Sequence, residues 1–391
     1  CEGRSRSLGA SLAYGFEQAF SEKERKRLAL LHLFQGFVYV GVLVFMGDPE
    51  SSWCLPEVQG LSREEGKALL DRAAEVGLLS AYGGGCYGIH PALPWFLKGL
   101  FDRCHPADDL AVVHAFVESM GVLGNYYCKQ YTDGNRDVLA ALRTEEANLL
   151  HARRLARAHG WWDPVTSTMQ GLRQLYDHTG RRAEWKRLVE EIVPDFVDPE
   201  NDSPLPGREE DWSLVTEYRV RLAREERQWD EAERLQTAHV DWDRQHATPA
   251  LARPTDELES GERNAIRTLA ASLGLLGYIR REVGSANCIP AYEESLELNE
   301  RIGDRSGAAI CAFNLGHAFK NLPTLRDLNQ AEHWYRRSLD LYDERERHDR
   351  GQCLGQLGNV AWQRFHEALK VGRPEEELLQ HLNEAVKRYH E

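Results

Sequence analysis

The sequence predicts a mainly α-helical protein: a small unit of helices and one hairpin, then a helical solenoid. Three observations predict it. Leu273-Gly274, Leu315-Gly316 and Leu357-Gly358 return 42 residues apart, each in a run rich in Ala, Leu, Asn and aromatics. A second phrase follows the first two, Tyr292-x-x-Ser295-Leu296 and Tyr335-x-x-Ser338-Leu339, with a looser Leu382-x-x-Ala385-Val386 after the third. Near the N-terminus, Ser21-x-x-Glu24 and Ser62-x-x-Glu65 each stand before an apolar run of helical period. A small residue beside Leu in one helix, answered by an aromatic and a small residue in the next, suits two closely packed antiparallel helices. Self-similarity at a fixed period is the mark of a solenoid.

Composition bounds the rest. The 391 residues suffice for two or three units with a large core, and 42 % hydrophobic with 28 % charged residues describe a soluble globular chain. A net charge of −14 disfavours wholesale nucleic-acid binding, which needs a basic face against phosphates. The eight cysteines lie far apart, with no C-x-x-C and no Cys/His pair at metal-ligand spacing, so they read as reduced core residues of a cytoplasmic protein. No secretory signal precedes them. The chain opens on Cys1 rather than Met, which leads us to expect a fragment of something longer.

Taken in order, a polar lead gives way to a short amphipathic segment, Leu12 to Phe20. Ser21 and Glu24 then form a capping box whose helix sends Leu28, Leu31 and Phe34 to a core. The uncharged run Leu28 to Met46 reaches the length of a membrane span and follows Lys23, Arg25, Lys26 and Arg27. It also carries His32, Gln35, Gly36 and Gly41, so two buried elements broken near Gln35-Gly36 explain it better. Asp48 to Pro56 is a loop. Ser62 and Glu65 cap a second helix running to Val76, with Leu69, Leu70 and Ala73 inward and Gly77 as its left-handed stop. Leu78 to Tyr82 and Cys86 to Ile89 flank Gly83 to Gly85 as a hairpin. Helix, helix, hairpin is the order of a winged helix. Pro91, at a tolerated first position, is expected to open the next helix. Helices then follow over Leu110 to Tyr127, Asp137 to His159, and Leu172 to Ile192 broken at Gly180. Pro194 to Gly207 and Thr248 to Gly261 read as breaks, and Gln228-Trp229-Asp230-Glu231-Ala232 as the turn into a further helix. The expected domains are a winged-helix-like 1–110, a helical linker or repeat region 111–200, and repeats over 201–391.

The repeated phrases resemble the tetratricopeptide repeat (TPR). Asn314-Leu315-Gly316-His317-Ala318-Phe319, followed by Ala331, Tyr335 and Ser338, is the best match. The period is longer than the usual ~34 residues, which implies lengthened helices or turns. The first part resembles the winged-helix domain of STAND-type signalling ATPases. Ser11-Leu12-Ala13-Tyr14 through Leu33-Phe34, the glycine hairpin and Tyr87-Gly88-Ile89-His90-Pro91 carry that resemblance. Glu146-Ala147-Asn148-Leu149-Leu150 to His159-Gly160-Trp161 resembles the helix joining such a domain to a TPR sensor. The resemblance implies that His90 touches ATP or ADP held by a neighbouring ATPase domain, which this sequence lacks. It also implies self-association on activation.

Catalytic and cofactor motifs are wanting. Gly60 to Lys67 fails as a phosphate-binding loop, because five residues separate its glycines and Ala68 stands where a Mg²⁺-binding hydroxyl belongs. There is no H-E-x-x-H and no G-x-S-x-G. The chain is therefore expected to be no enzyme, and to carry no metal or cofactor of its own. In the winged-helix-like part, the recognition-helix position, Ser62 to Val76, sets Arg63, Lys67 and Arg72 against Glu64, Glu65, Asp71 and Glu75, which is net acidic and poor for DNA. Binding is expected on the repeats instead. Relative to the Leu-Gly glycine, the TPR resemblance implies a groove lined by Thr268, Ala271, Leu275 and Tyr278; Ile310, Phe313, His317 and Lys320; and Gln352, Gly355, Asn359 and Trp362. Tyr278, Phe313, His317, Lys320, Asn359 and Trp362 are its best binding candidates. Each position reads equally well as interhelix core, Ile310 and Leu275 above all. The fold class is thus mainly α, a winged-helix unit followed by a TPR-like superhelical solenoid. The expected function is a ligand-binding sensor segment of a STAND-type ATPase, taking a protein, peptide or small ligand. A free-standing TPR adaptor and a winged-helix DNA-binding regulator are the alternatives, though no specific nucleic acid or membrane is expected.

Overall fold

The computed structural model describes residues 16–91, 93–105 and 109–390, so Ser11 to Tyr14 lie outside the described residues. It holds two compact units, the first ending at Pro199 and the second beginning at Glu200. Both are helical apart from one small sheet. Among the described residues no helix is long and apolar enough to cross a membrane.

In the first unit the local signals act as read. Ser21 caps α1 (Glu22–Ala29): its hydroxyl accepts the Glu24 N–H at 3.4 Å, and the Glu24 carboxylate accepts the Ser21 N–H at 2.9 Å. Arg72 donates to the same carboxylate at 2.7 Å, the main reason its pKa falls to about 2. After a 3₁₀ turn at Leu30–Leu33 the apolar run breaks, with Phe34 extended and Gly36 left-handed at φ +79°. Phe37–Tyr39 then forms strand β1 and Val40–Met46 helix α2. Three residues are too few for an alternating pattern to register, and the strand has no signature in the sequence. The second capping box starts α3 (Arg63–Glu75), with bonds of 3.1 and 3.0 Å between Ser62 and Glu65.

Strands β2 (Leu79–Gly83) and β3 (Cys86–Ile89) make the hairpin, whose glycines 83 to 85 all have positive φ. β1 adds to it in the order β1-β3-β2, antiparallel throughout, with Val38 and Ala81 both opposite Tyr87. Tyr87 is buried and donates its hydroxyl to Asp71 Oδ1 at 2.7 Å, fastening the sheet to α3. One expectation is corrected here. Pro91 does not open the next helix; the Leu93 N–H closes a turn on the His90 carbonyl at 2.9 Å, and Pro94 takes the first position of α4 (Pro94–Cys104). Pro91 instead serves as the rigid second residue of that turn.

Four longer helices complete the unit: α5 (Asp109–Thr132), α6 (Val138–His159), α7 (Trp162–Thr179) and α8 (Arg182–Phe196). Left-handed Gly160 and Gly180 stop α6 and α7. Helices α5 and α7 touch backbone to backbone at Gly124, where a Cβ would lie 2.6 Å from the Ser167 carbonyl oxygen.

The second unit is an all-helical solenoid. Its helices are α9 (Glu209–Glu225), α10 (Trp229–Leu251), α11 (Ser260–Glu282), α12 (Cys288–Ile302), α13 (Arg305–Asn321), α14 (Leu328–Leu341), α15 (Arg347–Lys370) and α16 (Glu375–His390). Each packs on the next in sequence. The breaks fall later than expected. Pro194 and Pro249 lie inside the last turns of α8 and α10, where each removes one bond to the carbonyl four residues back, and the chain leaves the helix soon after, at Val197 and Ala252.

A small bond set recurs between pairs. Ser295 Oγ donates to the Ala270 carbonyl at 2.6 Å and meets Cys311 Sγ at 3.1 Å; Ser338 Oγ donates to the Ala309 carbonyl at 2.8 Å and meets Cys353 Sγ at 3.2 Å. In the earlier pair His239 Nε2 meets Ser213 Oγ at 2.8 Å. Gly316 admits the Tyr335 ring as the Leu-Gly phrase implies, since a Cβ there would sit 2.7 Å from it. In the first repeat, however, Tyr292 packs on Gly277, one turn beyond Gly274, and in the third Tyr389 rather than Leu382 packs on Gly358. Leu273-Gly274 and Leu276-Gly277 are both Leu-Gly pairs one turn apart, so the sequence offers two registers. The Ser295 bond to Ala270 selects the second: Ala270 precedes Gly277 by the same seven residues that separate Ala309 from Gly316.

Candidate functional site

The first helix of each pair carries side chains one and four residues after the packing glycine. On Gly277 these are Tyr278 and Arg281, on Gly316 His317 and Lys320, on Gly358 Asn359 and Trp362. The same count on α9, set by the Ser213–His239 bond, gives Arg221 and Arg224 after Val220. Three of them, Arg224, Arg281 and Lys320, reach the next first helix, while His317 and Asn359 also meet their own partner helices at Tyr335 and Tyr389. Arg224 lies over the Tyr278 ring at 4.8 Å, Arg281 donates to Asn314 Oδ1 at 3.1 Å, and Lys320 donates to Gln356 Oε1. They therefore share one face, lined by α9, α11, α13 and α15.

Tyr278 is half-buried between two guanidinium groups, with Arg281 at 5.1 Å on its other contact. Phe313 is half-buried and packs among Leu328, Tyr335 and Leu357, and it is largely interhelix core. His317 stands edge-on to Phe313 and Tyr335 at 4.7 and 5.5 Å. Burial, and then the charges of Lys320 and Arg281, bring its pKa down to about 4, so it is neutral at neutral pH. Lys320 is only 7 % exposed, and burial lowers its pKa too. Asn359 donates to Gln356 at 3.4 Å and accepts the Tyr389 hydroxyl at 2.8 Å. Trp362 is 41 % exposed and stacks on Phe365 at 5.5 Å. Of the remaining positions, Ile310 is exposed, while Thr268, Ala271 and Leu275 line a depression of about 390 Å³ beside Gln236 and His239. A larger depression, about 490 Å³, is lined by Glu217, Arg221, Arg224, Glu225, Trp229, Leu275 and Tyr278. Arg224 and Arg281 are the groove residues that sequence reasoning missed. Aligning on Gly277 would have put Arg281 in register with Lys320.

His90 is elsewhere, in the first unit. It is exposed at the end of β3 and lines a cleft of about 430 Å³ with His32, Ser80, Tyr82 and Pro94. Behind that cleft, Asn148 of α6 holds β1 and the turn before it: its Oδ1 accepts the Gln35 N–H at 2.6 Å and its Nδ2 donates to the Phe37 carbonyl at 2.9 Å. The same Nδ2 meets Glu145 Oε2 at 2.7 Å. Glu145 is 1 % exposed, and burial drives its pKa up to about 7. The cations of α3 are engaged at home: Arg63 donates to Tyr39 and Gly84, Lys67 pairs with Asp71, and Arg72 with Glu24.

No protein-family model and no curated protein matches the sequence. Among solved structures, BtubC (BKLC) from P. vanneervenii is similar at 16 % identity and a TM-score of 0.43, over 64 % of this chain and 91 % of that one. A Signal Transduction ATPase with Numerous Domains (STAND) protein with a tetratricopeptide repeat sensor, from Pyrococcus horikoshii, is similar at 12 % identity and a TM-score of 0.30. That similarity covers 95 % of this chain and 64 % of the Pyrococcus chain, so this chain spans less than two-thirds of its length. Both are distant likenesses.

Proposed function

We propose that this chain is a non-catalytic sensor and regulatory segment of a STAND-type signalling ATPase working in the cytoplasm. The solenoid takes a protein or peptide on the face that carries Tyr278, His317, Lys320 and Trp362, and occupancy shifts the parent protein toward its active, self-associating form. The observation that carries this reading is that face: polar and aromatic side chains at matching repeat positions, partly buried and turned toward one another across successive first helices. ATP or ADP belongs to an ATPase domain outside these residues, with His90 as the contact from this side. What supports this role is that His90 is exposed directly after β3 and lines a cleft.

A neutral imidazole donates one hydrogen bond to a phosphate and a protonated one adds charge, a contact of about 1.5–3 kcal/mol. That is enough to shift a balanced two-state equilibrium roughly ten- to a hundredfold. The test is His90→Ala in the full-length protein, scored by basal output, nucleotide retention and melting temperature. We expect raised output without ligand, faster nucleotide loss and an unchanged melt. Unchanged output and retention would remove His90 from the mechanism, and a full-length protein that holds no nucleotide would favour a free-standing adaptor.

A further inference from the structure

Arg224, Arg281 and Lys320 each stand eleven residues after the first-helix residue that bonds the partner helix, Ser213 through its hydroxyl and Ala270 and Ala309 through their carbonyls. The groove face thus repeats a cation in three successive pairs and ends at Trp362. In a chain of net charge −14 such a row runs against the general trend. Two of the three are paired with no carboxylate, although Glu217 and Glu225 line the depression beside Arg224, Glu225 bonded to Arg221. Lys320 is nine-tenths buried, and its contacts are an amide oxygen of Gln356 and the Tyr335 ring, 5.8 Å from the ammonium. Arg224 rests on Tyr278, and its Nε is buried with no hydrogen-bond partner. Arg281 alone has an acid, Glu282 at 3.0 Å. The hydroxyls of Tyr292 and Tyr335 are buried and equally unpartnered. Between these groups His317 is held neutral, so it adds no charge, yet it lies within the fields of both Lys320 and Arg281. Burying a cation without a counter-charge is costly unless a ligand supplies one.

We infer that the groove takes an extended acidic peptide segment, whose carboxylates pair with Arg224, Arg281 and Lys320 while an apolar side chain rests on Trp362. This deepens the sensor reading and rests on it. A helix with its side chains is about 10–12 Å across, and an extended chain advances about 3.3 Å per residue. The row therefore matches a carboxylate at about every third residue. Because the overall charge repels acidic ligands at long range, recognition depends on this local row and on that spacing.

The experiment uses the whole chain and fluorescence anisotropy with three labelled peptides in a neutral Ser/Gly background. One has Glu at every third position followed by Trp, one has Gln in place of each Glu, and one has the same Glu residues adjacent. We expect the spaced Glu peptide to bind, the Gln peptide to bind at least about thirtyfold more weakly, and the clustered peptide to fall between. Lys320→Met and Arg224→Leu should each lower affinity about tenfold, with melting temperatures held or raised. Two independent variants guard against a folding artefact in either. Equal binding of the Glu and Gln peptides, lost in Trp362→Ala, overturns the acidic occupant and leaves the groove standing. No binding by any peptide overturns both readings. Tighter binding of a single-stranded oligonucleotide than of the spaced peptide overturns the peptide in favour of a nucleic acid.

Discussion

Asn148 in the first unit and Ser338 in the second are both wholly buried and both bonded, but over very different ranges. Asn148 joins Gln35 and Phe37 to α6 across more than a hundred residues and has a buried acid at its side. Ser338 joins α14 to α13 and to the start of α15, and Ser295 does the same one repeat earlier. The first unit has a long-range polar hub at Asn148, beside links such as Arg153 to Leu188 and Glu191; the second repeats one short-range bond set between neighbours. Damage to a hub disconnects distant segments at once, whereas damage to one copy stays with its repeat.

The contrast can be broken most severely at the hub. Asn148→Ala removes three bonds, two of them part-buried at Gln35 and Phe37 and one buried at the Glu145 carboxyl, and we expect a loss of about 3 kcal/mol. Urea unfolding followed by Trp fluorescence would measure it; a loss below about 1 kcal/mol would abolish the distinction. Next comes the acid itself. Glu145 has its pKa raised from 4.5 to about 7 on folding, so between those values the native state binds the extra proton. Its contribution is fully present below the unfolded pKa and is lost as pH rises from about 4.5 to 7, by at most about 3 kcal/mol. Comparing urea midpoints at pH 5 and 7.5 should show that fall, and Glu145→Gln should flatten it. Glu24 works in a separate window. Its pKa is lowered to about 2, so its stabilisation is present above 4.5 and disappears as pH falls toward 2. The smallest effect belongs to the repeats. Ser295→Ala and Ser338→Ala should each cost about 1 kcal/mol and add within about 0.5 kcal/mol in the double variant. Strong non-additivity would mean that the repeats are not independent.

The same difference in range explains what could be read from the sequence. Both capping boxes were legible because their partners are three residues apart, and the glycine stops because each acts on its own backbone. Tyr335 on Gly316 was legible because the phrase repeats. Strand β1 and the role of Asn148 were not, since pairing Phe37 with Gly88, or Asn148 with Gln35, leaves no trace in any local window. The groove was read one turn out of register in its first repeat, where two Leu-Gly pairs compete and a distant serine bond decides. That slip kept Tyr278 and hid Arg281, the cation in register with Lys320.

The serine bonds have a consequence for watching this molecule move. Each of the last repeats hides a thiol, Cys288, Cys311 or Cys353, and burial raises all three pKa values. A buried, protonated thiol does not react until its surroundings open. Cys311 and Cys353 each sit against the hydroxyl that joins one repeat to the next, so opening that joint uncovers the sulfur. Alkylation rates taken site by site would report the opening free energy of successive joints in the unlabelled native chain. The solenoid thus carries its own series of clocks, one per repeat, and a ligand spanning the face should slow those beneath it and leave the others running.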